Sequence, residues 1–234
     1  MRPFFRFPHT PHLAWLGEGE PRDDKVLSAT EVKALLAGEV VLEEKLDGAN
    51  LGFSLSADGN LLAQNRGQYL AEPHAGQFAR LPAWMSLHHD ALADVLQPNL
   101  IVFGEWCAAR HSLDYSALPD WFLVFDVYDR DAGRFWSTVR RNALAQMAAL
   151  KTVRQVFSGR ASLPELKHLV ATSPSAFRDG PMEGIVVRRE SGAWCEARAK
   201  LVRPDFTQAI DTHWRKRAIE WNRLGASHQY EIAR

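Results

Sequence analysis

The stretch Glu44-Lys45-Leu46-Asp47-Gly48 follows the apolar run Val40-Val41-Leu42 and sets an amine, an acid and a glycine side by side. A β-branched run that ends this way reads as a strand delivering its lysine into a turn. A free lysine has a pKa of about 10.4 and is an unreactive ammonium at neutral pH. Attack on an electrophile therefore requires burial or a neighbouring cation that favours the neutral amine. Asp47 has the type of a metal-site or orienting carboxylate, and Gly48 lets the backbone approach a ligand. Taken alone, the pattern fits equally well a strand end followed by an ordinary Asp-Gly turn.

Further groups of the same kind recur along the chain: Asn65-Arg66-Gly67, Phe103-Gly104-Glu105-Trp106, Phe125-Asp126-Val127, Glu183-Gly184-Ile185-Val186-Val187-Arg188 and Lys200-Leu201-Val202-Arg203. Arg66 at a strand end has the planar fork that clamps a phosphate. Glu105 at the close of one apolar strand and Glu183 where another begins each sit beside a glycine, and an ionised acid there is costly to bury unpaired. A nucleophile, cations for phosphate oxygens and carboxylates for a divalent ion are the parts that phosphoryl and nucleotidyl transfer need. Magnesium suits such oxygen ligands. A P-loop is absent, as is any zinc-spaced set of cysteines and histidines.

In this order the motifs resemble those of the covalent nucleotidyltransferases, the superfamily of polynucleotide ligases and messenger-RNA capping enzymes, and most closely the ATP-dependent RNA ligases. The resemblance runs from about Phe7 to Trp214. It implies an α+β nucleotidyltransferase (ATP-grasp-like ligase) domain, with twisted antiparallel sheets flanked by helices and the nucleotide in the cleft between the sheets. It further implies that Lys45 attacks ATP to form a lysyl-adenylate, with Lys200 on the α-phosphate and helping to depress the pKa of Lys45. Glu44 lies near the adenine, Glu105 on the ribose and Phe125 against the base. Asp47 and Gly48 complete the lysine turn, and Arg66 contacts a phosphate. Glu183, with Asp47 through water, positions Mg2+ or Mn2+. AMP then passes to a 5′-phosphate end, and a 3′-hydroxyl displaces it to seal RNA. The last motif departs from the family's two lysines one residue apart: the partner of Lys200 is Arg198 in one register, while Val202 stands there in the other, with Arg203 as a substitute. Alternatives of the same chemistry are a minimal DNA ligase or use of GTP; the alternative of another class is a non-catalytic nucleotide- or RNA-binding module.

The elements that must position these groups are legible in outline. A helix is predicted over Thr30 to Leu36 with Thr30 as N-cap. The lysine strand follows, then an alternating strand over 49–56 and a hairpin at Asp58-Gly59-Asn60. The pattern over 75–96 predicts two helices split near Pro82. Strands are expected at 100–103 and 121–128, and helices over 138–150 (with Arg140-Arg141 on a solvated face) and 163–171. A hairpin about Ser191-Gly192 precedes the last motif. The proline-rich arm before residue 30 reads as extended, with His9 and His12 as candidates to line the site. Asp205 to Leu224 reads as a helix capped by Asp205, interleaving Arg215-Lys216-Arg217 and Arg223 with Trp214 and Trp221.

Composition bounds this picture. Lysine plus arginine equals aspartate plus glutamate at 28 each, so positive charge for nucleic acid must be concentrated at a cleft. The two cysteines read as buried thiols. No run of roughly 20 apolar residues suggests a membrane span, and the start lacks a signal-peptide pattern, so a cytoplasmic protein is expected. The expected organisation is an adenylyltransferase domain over 1–204 and a short helical extension over 205–234, too short for an OB barrel, with RNA ends as substrate and an accessory repair protein as a candidate partner.

Overall fold

The computed structural model describes residues 3–19, 21, 25–209 and 218–225. The elements in chain order are α1 (Ala29–Leu35), β1 (Val40–Lys45), β2 (Ala49–Leu55), β3 (Leu61–Gln64), α2 (Leu81–Val95), β4 (Leu100–Trp106), β5 (Phe122–Asp129), β6 (Arg134–Trp136), α3 (Thr138–Met147), β7 (Lys151–Thr152), β8 (Gln155–Gly159), α4 (Leu163–Thr172), β9 (Gly184–Ser191), β10 (Trp194–Val202) and α5 (Pro204–Ala209). The strands form one sheet in the order β3-β2-β4-β5-β6-β10-β9-β1-β8. Its pairings are antiparallel except for β7, which lies parallel to β5. The expected sheets are therefore two halves of one, joined through the three-residue β6.

Each half has its own core. Leu51, Phe53, Val102, Trp106 and Phe122 pack beneath α2 and α3, while Leu42, Ile185, Val187, Ala199 and Leu201 pack with Leu35 of α1 and Leu166 and Val170 of α4. Removing a side chain of this size from water stabilises a fold by about 1.5–3 kcal/mol. A third, aromatic cluster packs the N-terminal arm on β4, β5 and β6: Phe7 packs with Ile101 and Phe103, and its ring meets those of Phe103, Phe125 and Phe135 edge-on.

Several expectations shift. The cap of α1 is Ser28, not Thr30; its hydroxyl and Glu31 form a reciprocal capping box. The split near Pro82 separates a single 3-10 turn, Gly76–Phe78, from α2, whose first turn tolerates the proline's missing N–H. Arg141 is buried, not on a solvated face, because Glu43 and the Phe125 carbonyl receive its guanidinium. The described part of the terminal helix, α5, covers Pro204–Ala209 with Asp205 in its first turn rather than at its cap, and residues 218–225 run as extended chain bridged to Ala109 and Leu118. Trp214 and Arg215-Lys216-Arg217 lie outside the described residues. No described helix is long and apolar enough to cross a membrane. Cys107 is buried and Cys195 half-buried, without a disulfide.

Candidate active site

A cleft of about 610 Å³ opens between the two halves of the sheet. β1 ends at its floor with Lys45, and β9 pairs with β1 so that Lys45 lies opposite Gly184. This register brings Glu183 alongside, its Oε1 2.6 Å from Lys45 Nζ. β2 pairs with β4 on the other half, placing Asn50 opposite Glu105. Gly48 N–H donates to Glu105 Oε1 at 2.9 Å, tying the lysine turn to that strand. The glycines beside these acids are required by close approach. A Cβ on Gly48 would lie 2.5 Å from the Trp106 carbonyl oxygen, and one on Gly184 would lie 2.2 Å from that of Leu201.

Asp47 is held by the loop that follows β4. Its Oδ2 accepts from Ser112 N–H at 2.7 Å and Leu113 N–H at 3.2 Å, while its own N–H donates to Tyr115 Oη at 2.8 Å. His111 Nδ1 stands 3.9 Å from Oδ1. Arg66 lines the cleft beside His9, with Nη1 and Nδ1 3.4 Å apart. Phe125 lines it from β5. In β10, Arg198 and Lys200 share the cleft-facing side, whereas Val202 is buried and Arg203 pairs with Asp205. The register that pairs Lys200 with Arg198 is thus the one that serves the cleft. His12 is buried and bridges Lys200 through the backbone instead of lining the cleft.

Glu44 differs from expectation. Its backbone belongs to the cleft wall, but its carboxylate accepts from Ser175 Oγ at 2.5 Å and Ala176 N–H at 3.1 Å, on the other face of β1 from Lys45. Burial raises its pKa against those two hydrogen bonds.

The charge state of Lys45 is also the reverse of the expected one. Burial acts to lower its pKa, but Glu183, Glu105 and Asp47 outweigh burial and hold it as an ammonium. The same burial raises Glu105 and Glu183 to about 7 each, with Lys45 opposing the rise. One further oxygen stands out: Glu183 Oε2 is buried with no hydrogen-bond partner. Such an orphaned carboxylate oxygen suits a hard divalent cation, although among the described residues no three acids, histidines or cysteines stand close enough together to share one.

Sequence reasoning missed a buried ionic group in the wall of the cleft. Glu43 Oε1 lies 2.6 Å from Arg141 Nη2, and Arg188 Nη1 lies 2.7 Å from Asp126 Oδ1. Arg188 also reaches Glu190, and Arg198 pairs with Asp126 while lying over the rings of Phe7 and Phe135. The available signal was period two: Glu43 shares a face with Lys45, and Arg188 with Val186. Asn50 was missed as well; it lines the cleft with a buried Oδ1 that lacks a partner.

The model of the family described as RNA ligase matches residues 38–202, which hold every motif from Lys45 to Lys200. The chain belongs to the RNA ligase family. Solved structures of Naegleria gruberi RNA ligase share the fold. An arginine-to-alanine mutant with ATP and Mn matches with a TM-score of 0.65 at 15% identity, over 90% of this chain and 60% of that one. The ligase with PPi matches at 0.60 and 17% identity, over 88% and 64%. A lysine-to-methionine mutant with AMP and Mn matches at 0.57 and 18% identity, over 79% and 54%. The chain thus spans less than two thirds of each of these ligase chains. No curated protein matches the sequence.

Proposed function

We propose that this protein is an ATP-dependent RNA ligase that joins 5′-phosphate and 3′-hydroxyl ends through a lysyl-adenylate and an adenylylated 5′ end. The observation that carries the reading is the convergence of Lys45, Glu105 and Lys200, from three separate strands, on one cleft, with Glu183 set against the Lys45 amine. Family membership and the ATP-bound relatives support it.

In this reading the Lys45 ammonium first gives up a proton to solvent, neutral Nζ then attacks the α-phosphorus of ATP, and the bond to the bridging oxygen breaks so that pyrophosphate leaves. Lys200 and Arg198 hold the α-phosphate and offset the charge that grows on its oxygens. Phe125 offers a ring face to the base, Glu105 accepts from a ribose hydroxyl, and Arg66 with His9 meets a phosphate at the cleft mouth. Glu183, with Asp47 through water, would hold Mg2+ or Mn2+. Such an ion supplies positive charge that weakens the carboxylates' hold on the Lys45 proton and polarises phosphate oxygens. Asp47, fixed by the Ser112 and Leu113 amides, keeps the turn rigid while the amine changes partner.

Incubation with a divalent ion and α-labelled ATP or GTP tests the first step. Covalent label from ATP that survives denaturation and alkali but is released by acid, as a P–N bond is, and that is lost in Lys45→Ala, is the expected result; no label from either nucleotide sinks the proposal. Nicked RNA and nicked DNA, compared as substrates of the labelled protein, test the polynucleotide.

A further inference from the structure

Residues 218–225 lie beyond the family match, yet they are bonded to the loop that holds Asp47. Asn222 is the centre of this contact and is 2% exposed. Its Oδ1 accepts from Tyr115 N–H at 2.9 Å, and its Nδ2 donates to the carbonyls of Cys107 at 2.8 Å and Ala109 at 3.3 Å. Main-chain bonds continue the contact on both sides: Arg110 N–H to Glu220 O, Asn222 N–H to Ala108 O, Arg223 N–H to Tyr115 O and Gly225 N–H to Leu118 O. Trp221 is covered by the Arg80 guanidinium, 4.2 Å from its ring centre.

The loop from Cys107 to Leu118 has no regular structure of its own, and its amides need partners that the sheet does not supply. The late segment supplies those of Arg110, Tyr115 and Leu118, while Phe177 O receives those of Ser116 and Ala117. The opposite side of the same loop offers the Ser112 and Leu113 amides and the Tyr115 hydroxyl to Asp47. One loop therefore faces the turn after Lys45 on one side and Asn222 on the other.

We propose that residues 218–225 are a positioning strap for nucleotidyl transfer, and that Asn222 is a positioning residue acting through the 107–118 loop on Asp47. The strap touches no reacting atom. Its effect is to keep the carboxylate two residues after the nucleophile in one place while Lys45 exchanges its partners. The proposal rests on the ligase reading for the step it serves.

The experiment uses the full chain, with rates of lysine labelling by α-labelled ATP and hydrogen exchange of individual amides. In Asn222→Ala, loss of buried hydrogen bonds leads to an expected fall of roughly tenfold in labelling rate at saturating ATP, with the ATP concentration for half-maximal rate within about twofold of wild type. The Ser112 and Leu113 amides should exchange faster while those of Ile185 and Val187 do not change. Tyr115→Phe removes the acceptor of the Asp47 N–H; added to Asn222→Ala, it should cost less than it does alone, because both act on one carboxylate. Where Asn222→Ala does not fold, Asn222→Ser, which keeps one polar atom, is measured instead, with an expected loss of about threefold. Wild-type rates in the variant overturn the strap, as does a fall that tracks the unfolded fraction with exchange accelerated throughout. Absence of label on the wild-type protein overturns the ligase reading itself, an outcome distinct from a labelled wild type with an indifferent variant.

Discussion

Lys45 is the residue on which the chemistry turns, and its neighbours hold it in the wrong charge state for attack. Glu183, Glu105 and Asp47 keep the amine protonated despite its burial. That is a sensible resting state for a nucleophile that must not react before substrate and metal arrive together. The cost falls on the acids, which burial lifts from 4.5 to about 7. A carboxyl whose pKa is higher in the folded than in the unfolded chain favours folding below the unfolded value, and that contribution is lost as pH rises through the folded one. Glu183→Gln removes the titration, so relative to wild type it should gain stability between pH 5 and 8, by at most about 3 kcal/mol. Urea unfolding of both proteins at the two pH values checks this, and a constant difference would contradict it. The same variant should lose labelling far more than it loses folding, because the orphaned Oε2 is replaced or turned away from any metal.

Among the elements, β1 shows how a strand can carry two kinds of work on one face. Lys45 reaches the cleft, and two residues earlier Glu43 enters the buried group with Arg141 and Arg188. Arg141→Ala leaves Glu43 buried with only a 3.8 Å partner, so a loss of about 3–5 kcal/mol is expected from thermal or urea unfolding. Glu43→Leu combined with Arg141→Met should recover much of that loss, since an apolar pair needs no desolvation of charge. A double variant no more stable than Arg141→Ala would show that the ion pair is needed to hold α3 on the sheet. Gly48→Ala tests a different constraint. Its Cβ would meet the Trp106 carbonyl at 2.5 Å, so β2 and β4 must part at the point where Glu105 is anchored. A loss of about 1–3 kcal/mol is expected, with labelling reduced in the folded fraction. These elements also show what the sequence made legible. Strands bearing Lys45, Glu105, Phe125, Glu183 and Lys200 stood out because each sets a charged residue in or beside an apolar run, with a glycine close by at Lys45, Glu105 and Glu183. The ionic group in the cleft wall did not, because Arg141 on a helix and Asp126 within a strand look like surface charges until the sheet brings them together. The N-cap at Ser28 and the single helix after Pro82 turned on local hydrogen bonds that periodicity does not resolve.

At the scale of the molecule, a chain of balanced charge proposed to handle RNA must confine its phosphate contacts to the cleft. Arg66, Arg198 and Lys200 are the cleft-lining cations besides Lys45 and the buried Arg188, which is saturated by Asp126 and Glu190. The extended course of residues 218–225 removes part of the basic helix that the sequence suggested, and places Arg223 against Asp114 instead, 3.5 Å away. If those three cations make the phosphate contacts, the logarithm of the binding constant for a 5′-phosphorylated single strand should fall with the logarithm of salt with a slope of about −2. Fluorescence anisotropy with a labelled oligonucleotide over a series of KCl concentrations gives the slope directly. Arg66→Ala should reduce its magnitude by somewhat less than one, because one released counterion is lost with the guanidinium. A slope of about −5 or steeper would mean that binding is dominated by a basic face outside the cleft. Arg215-Lys216-Arg217→Ala would then be the variant that restores the shallow slope, whereas an unchanged shallow slope in that variant keeps recognition with the residues that surround Lys45.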